Sequence, residues 1–130
     1  MKTKNFLVSG ISGGVVDFLL GWLIYGMLFK DTFPPMEEHS NTYIFIFLGC
    51  ITFGLFIAYI FTKWAQITTA ATGAKAGAVI GLFIGLFYHF FDMAGNAEAS
   101  MQLVALDVVI GLVMAAIVGA VVGAVNGKLG

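Results

Sequence analysis

Four long apolar runs, over residues 6–29, 43–62, 73–91 and 101–125, constrain this chain more than anything else in it. Each holds about 19 to 25 residues, enough to cross ~30 Å of hydrocarbon at 1.5 Å per residue in a helix. Strands are a poor alternative, because the runs are too long and show no period-2 alternation. The expected fold is an all-α integral membrane protein: a bundle of four transmembrane helices, running up-down-up-down, as a single domain over residues 1–130.

Composition agrees. Of the 130 residues 60% are hydrophobic and only 10% charged, whereas a soluble domain carries about a quarter charged residues. Once the four runs are set aside, no segment the size of a soluble domain remains. The lipid bilayer is therefore the expected surrounding. The net charge of -1 and the absence of arginine give no case for nucleic acid. Cys50 is the single cysteine, so no disulfide forms within the chain, and a small packing role is expected for it. The start, Lys2 and Lys4 followed by Phe6-Leu7-Val8, has the look of a secretory signal. The apolar run continues to Phe29, Asp17 interrupts it and no small-x-small cleavage site follows, so it is expected to be a retained first helix.

Charge sets the expected orientation. Lys2, Lys4, Lys63, Lys75 and Lys128 fall on one side of the four-span scheme. Asp31, Glu37, Glu38, Asp92 and Glu98 fall on the other, with Lys30. Positive residues collect on the cytoplasmic side, which predicts that both termini and the loop after Lys63 are inside. Tyr59 and Trp64 at one level, and Tyr25, Tyr43 and Tyr88 at the other, suit the two membrane interfaces. Phe33-Pro34-Pro35 is expected to stop the first helix, and Thr72 to cap the third.

Small residues recur every four positions. The third helix carries Gly73, Gly77, Gly81 and Gly85; the fourth carries Gly111, Ala115, Gly119, Gly123 and Gly127. Weaker versions are Cys50, Gly54 and Ala58 in the second helix and Gly10 and Gly14 in the first. Such stripes let backbones approach closely in lipid, where helices gain nothing from hydrophobic burial against each other. They predict glycine-zipper packing inside the bundle, or a homo-oligomer contact through the fourth helix. Gly13, Gly21 and Tyr25 also align with Gly77, Gly85 and His89 at a constant offset, the pattern of a duplicated helical hairpin.

Two carboxylates lie within the spans. Asp17 is roughly 18 Å below the outer end of the first helix and Asp107 about 9 Å into the fourth from that side. Facing lipid, each would cost several kcal/mol, so both are expected to face the protein interior or a water-filled cavity. Gly10, Gly14, Asp17 and Gly21 share one helix face, and Asp107 precedes Gly111 by four, so both acids are expected to point into closely packed surfaces. No Lys lies at their depth. Desolvation without a counter-charge favours a neutral acid, unless a cation or a hydrogen-bond network compensates. Tyr25, Thr52, Tyr88 and His89 are at compatible depth, and a polar path from Asp17 through Asp107, Tyr25 and His89 to Asp92 is expected. Either the acids fix helix register by hydrogen bonding or they handle protons or a small cation.

His89 and Asp92, three apart, with Glu37, Glu38 and His39 on the same side, have a spacing compatible with a metal, but loop acids are usually solvated and no metal site is expected. No nucleophile–base set, phosphate loop or haem ligand pair occurs, so neither an enzyme nor a cofactor is expected.

Gly21-Trp22-Leu23-Ile24-Tyr25-Gly26, Ala58-Tyr59-Ile60-Phe61 running into Trp64-Ala65, and Thr72-Gly73-Ala74-Lys75-Ala76-Gly77-Ala78 resemble an uncharacterised family of small four-helix bacterial membrane proteins of Bacteroidetes type. The resemblance implies a bacterial inner (plasma) membrane location and implies no activity. The expected role is a structural or accessory membrane subunit, associating through its glycine faces with itself or with a larger membrane complex. The alternative is a small proton- or cation-handling transporter or channel using Asp17 and Asp107.

Overall fold

The computed structural model describes residues 3–33 and 38–130; the expectations for Lys2, Pro34, Pro35 and Glu37 lie outside these. Helix α1 is Thr3–Leu23 and continues as a wide π turn, Ile24–Leu28. Helix α2 is Thr42–Tyr59 with a second π turn, Ile60–Trp64, and α3 and α4 are Ala70–Gly95 and Met101–Leu129. The four resulting spans, of 26, 23, 26 and 29 residues, are each long and apolar enough to cross a membrane. No strand occurs among the described residues. In lipid a backbone without internal partners is very costly, so helices, whose bonds all close within one segment, are what these runs can form.

The helices extend past the limits 6–29, 43–62, 73–91 and 101–125 at most ends, because helical bonding continues into flanking polar residues. The start of α3 differs from expectation. Thr69, not Thr72, is the cap: it is extended (φ -127°, ψ 152°), and its hydroxyl accepts from the Thr72 N–H at 3.3 Å. A capping side chain must reach the N–H two or three residues on, and Thr72 is the residue that supplies it. Ser100 does the same for α4, accepting from Leu103 N at 3.3 Å. The π turns close through Phe29 N to Ile24 O and Ala65 N to Ile60 O, both 2.8 Å. Gln66 then takes a left-handed conformation (φ 53°) and Ile67 N donates to Phe61 O at 3.0 Å, turning the chain into α3.

The helices sit in the order α2, α1, α4, α3. α1 packs against α2 on one side and α4 on the other, α4 packs against α3, and α2 also touches α4. α2 and α3 form no comparable interface. That asymmetry answers the hairpin-repeat reading. A two-fold relating α1–α2 to α3–α4 would map the α1–α4 interface onto one between α3 and α2, so the packing lacks that symmetry.

Small residues bring backbones together at two crossings. A Cβ added to Gly73 would fall on the Gly119 carbonyl, and one added to Gly119 on the Gly73 carbonyl. In α2, a Cβ on Gly54 would fall on Gly10 O and Gly14 N of α1. The buried apolar core, with Ile57, Ala58, Phe61, Val118 and Val122 all essentially inaccessible, lies in the half of the bundle that carries the termini. The other half, where α2 and α3 do not close, is less filled.

Gly119→Ala is expected to lower the unfolding free energy in mild detergent by about 1–3 kcal/mol through overpacking. Gly49→Ala, whose Cβ would meet nothing within 4 Å, is expected to lose nothing, since Ala is the better helix former. Equal losses at both positions would contradict the close α3–α4 approach.

Candidate functional site: an intramembrane cavity with two acids

The interface of α1 with α4 carries most of the polar chemistry within the spans. Stepping by four along α1 gives Asn5, Ser9, Gly13 and Asp17 on one face. Antiparallel α4 answers with Asn126, Val122, Val118 and, further on, Gly111 and Asp107. Three zones result.

Near the termini is a buried polar knot. Asn5 Nδ2 donates to Asn126 Oδ1 at 3.1 Å, Asn126 Nδ2 donates to the Ile67 carbonyl at 2.9 Å, and Ser9 Oγ donates to Asn5 O at 2.5 Å. Asn5, Ser9 and Asn126 are 1%, 0% and 0% exposed. Neighbouring Thr62 is equally buried. Next is a dry plug. Val118 and Val122 are fully buried, and a Cβ on Gly13 would lie 2.6 Å from Val122 Cγ2 and 3.2 Å from Val118 Cγ1.

Beyond the plug is a cavity of about 290 Å³ that both Asp17 and Asp107 line, together with Tyr25, Tyr88 and His89. Asp107 is its hub. Tyr25 donates its hydroxyl to Asp107 Oδ1 at 2.5 Å, and His89 Nε2 meets Asp107 Oδ2 at 2.6 Å. The ring packs edge-on against Tyr88, with centroids 5.1 Å apart. His89 Nδ1 is buried with no partner among the described residues. The Cys50 side chain of α2 lies beside Asp17.

Local structure explains the convergence. Tyr25 sits in the π turn that ends α1, where the wider winding re-aims side chains, and such turns recur at functional sites. Phe33 tilts over the Tyr25 ring at 5.4 Å. Gly81, Gly85 and Gly111 line the same cavity. A Cβ on Gly111 would meet nothing within 4 Å, and one on Gly85 only Val108, at 3.6 Å. A side chain would find room at these two positions, although the Gly111 carbonyl itself lies 3.1 Å from a Cβ added to Gly81. Gly73, Gly77, Gly81, Gly119 and Gly123 differ, each having a neighbouring helix within clash distance of an added Cβ. The acids were expected to point into the tightest surfaces; they point into this opening, because the tight crossings lie nearer the termini.

The arrangement holds the Asp107 carboxyl, which has no Lys beside it, between Tyr25 and His89. In one charge state Asp107 is a carboxylate accepting from Tyr25 and from a protonated or Nε2-protonated His89; in another the proton resides on Asp107 and Nε2 accepts it. The tautomer decides which. A proton crossing that 2.6 Å gap moves charge between the two side chains and leaves the net charge of the cavity unchanged, so only exchange with the outside alters it.

Asp92 does not join this cluster: it is exposed, at the end of α3. Thr52 is exposed and bonds its own helix, donating to Leu48 O at 2.7 Å. Glu38 accepts from Tyr43 Oη at 3.0 Å, and His39 Nδ1 accepts from Asn41 N at 3.2 Å. Among the described residues no group of three or more His, Cys, Asp or Glu is placed to hold a metal. Sequence reasoning missed the Asn5–Asn126 knot and the Cys50–Asp17 pair. The four-residue steps from Asn5 to Asp17 were available as a signal for the first; nothing marked the second, since it depends on how α2 docks. No protein-family model, curated protein or solved structure matches this chain.

Tyr25→Phe and Asp107→Leu, measured singly and together, are expected to show a coupling energy of about 0.5–3 kcal/mol in stability. Additivity of the two losses would contradict the hydrogen bond between them.

Proposed function

We propose that this is a small proton- or cation-handling membrane protein, a transporter or channel, in which Asp17 and Asp107 carry the ion. The observation that supports this reading is that both acids line one cavity within the spans, with no Lys beside them. Ionisable groups at that depth are expensive, and intramembrane acids of this kind mark ion or proton pathways. Asp107 exchanges a proton with His89, and Tyr25 keeps the carboxyl oriented towards the cavity. Asp17, beside Cys50, supplies the second acidic position deeper in the bundle.

The Val118–Val122 plug then acts as the closed gate of this conformation. It separates the acid cavity from the Asn5–Asn126 knot, and passage requires α1 to move along α4 far enough to break it. Lys4, Lys63, Lys75 and Lys128 gather at the end with the termini, which by the positive-inside rule is cytoplasmic, so the cavity faces outward. The membrane is the bacterial inner membrane, on the resemblance of the three short segments. Small-residue stripes hold α3 to α4 and α1 to α2 at the distances such movement would work against.

The accessory-subunit reading has less behind it. Gly73, Gly77, Gly81, Gly119 and Gly123 already face each other's helices, so an oligomer or partner contact would have to use other surfaces.

In proteoliposomes carrying a pH gradient, with proton and sodium flux followed separately, Asp17→Asn and Asp107→Asn are each expected to cut flux of the transported ion by about tenfold or more. Flux unchanged in both variants would remove this reading. A stoichiometric partner recovered in mild detergent, with no flux from the purified protein, would favour the accessory one.

A further inference from the structure

A second cavity, of about 410 Å³, lies between α1 and α2 and is separate from the acid cavity except at Tyr25, which lines both. Cys50 lines the second cavity and lies beside Asp17 of the first, so Tyr25, Cys50 and Asp17 stand between the two. Its sides are apolar and aromatic, with Phe18, Trp22 and Ile46, and its mouth carries Glu38 and Tyr43. Glu38 and Tyr43 are hydrogen-bonded to each other at 3.0 Å and exposed.

We propose that this second cavity is a binding site for a small organic cation with an apolar body, an aromatic or branched ammonium compound entering from the outer membrane interface. Charge selects the occupant. Glu38 at the mouth is negative, Asp17 lies behind the Cys50 wall, and no Lys lines the cavity, so an anion finds no partner there. Trp22, Tyr25 and Tyr43 line it, and aromatic rings attract ammonium groups, Trp most strongly. Size and depth fit as well. The volume lies in the range of small-ligand pockets, and Cys50 is about 10 Å below Tyr43 along α2 by rise per residue. The ammonium group stays at the Glu38–Tyr43 mouth while the apolar body lies over Phe18 and Ile46. A free amphiphilic cation is favoured over a lipid headgroup because the charged mouth and the apolar residues below it lie within reach of one small molecule.

The assignment does not rest on ion movement through the acid cavity, because binding alone reads it. The test uses the full chain with Trp64→Phe, which leaves Trp22 as the sole tryptophan reporter, in phosphatidylglycerol nanodiscs. Benzyltrimethylammonium is expected to bind saturably and quench Trp22, whereas neopentylbenzene, its uncharged carbon isostere, binds at least about tenfold more weakly. Glu38→Gln is expected to weaken the cation by about tenfold, while Glu98→Gln, an exposed acid at the same end of the bundle, leaves affinity within about twofold. Equal binding of the neutral isostere, or equal effects of the two Glu variants, would overturn the site. Adding phosphatidylethanolamine is expected to leave the affinity unchanged; competition by it would assign the cavity to lipid headgroups and overturn the free-cation assignment.

Discussion

The bundle depends on how α1 and α4 satisfy, against each other, the polar groups they carry into the spans. Lipid offers no water to an exposed amide or carboxyl, so each must find a protein partner or line a cavity. Asn5 and Asn126 meet this in part, as a pair anchored on the Ile67 carbonyl, with Asn5 Oδ1 left without a hydrogen-bond partner among the described residues. Asp107 solves it with Tyr25 and His89, drawn from the end of α1 and from α3. Slipping α1 along α4 by one turn would unmake both solutions at once. Two polar anchors at opposite ends of one interface therefore fix its register more firmly than apolar contacts could, since lipid competes equally for the latter.

The remaining architecture follows from where close approach is possible. Near the termini, Gly54 meets Gly10 and Gly14, and Gly73 meets Gly119, and between them the core of Phe61, Val118 and Val122 fills with no exposed surface. Toward the other end the small residues stop bringing backbones together. Gly111 faces open space and Gly85 meets only Val108, while α2 and α3 do not close. A dry pair of valines then separates the cavity from the buried knot.

Much of this was legible before any coordinates. The four spans could be read from run length alone, because ~20 apolar residues admit few other structures. Asp17 and Asp107 stood out because ionisable groups in such runs are rare. That Tyr25 and His89 lie at the depth of Asp107 could be counted along the helices, but that both bond it could not. Counting gives depth, whereas pairing needs the order of helices around the bundle, and glycine stripes on every helix are compatible with several orders. The same limit hid the Asn5–Asn126 knot, whose members sit at opposite ends of the sequence.

The central claim is that Asp17 and Asp107 share a cavity open to one side and closed to the other by Val118 and Val122. Its most direct test is thiol accessibility in a Cys50→Ala background, with Gly111→Cys in the cavity wall and Val118→Cys in the plug, using a small membrane-impermeant cationic thiosulfonate. The account predicts that Gly111→Cys reacts from the side of the α3–α4 loop and not from the side of the termini, while Val118→Cys reacts from neither. No reaction at Gly111→Cys from either side, or reaction from the side of the termini, would contradict it.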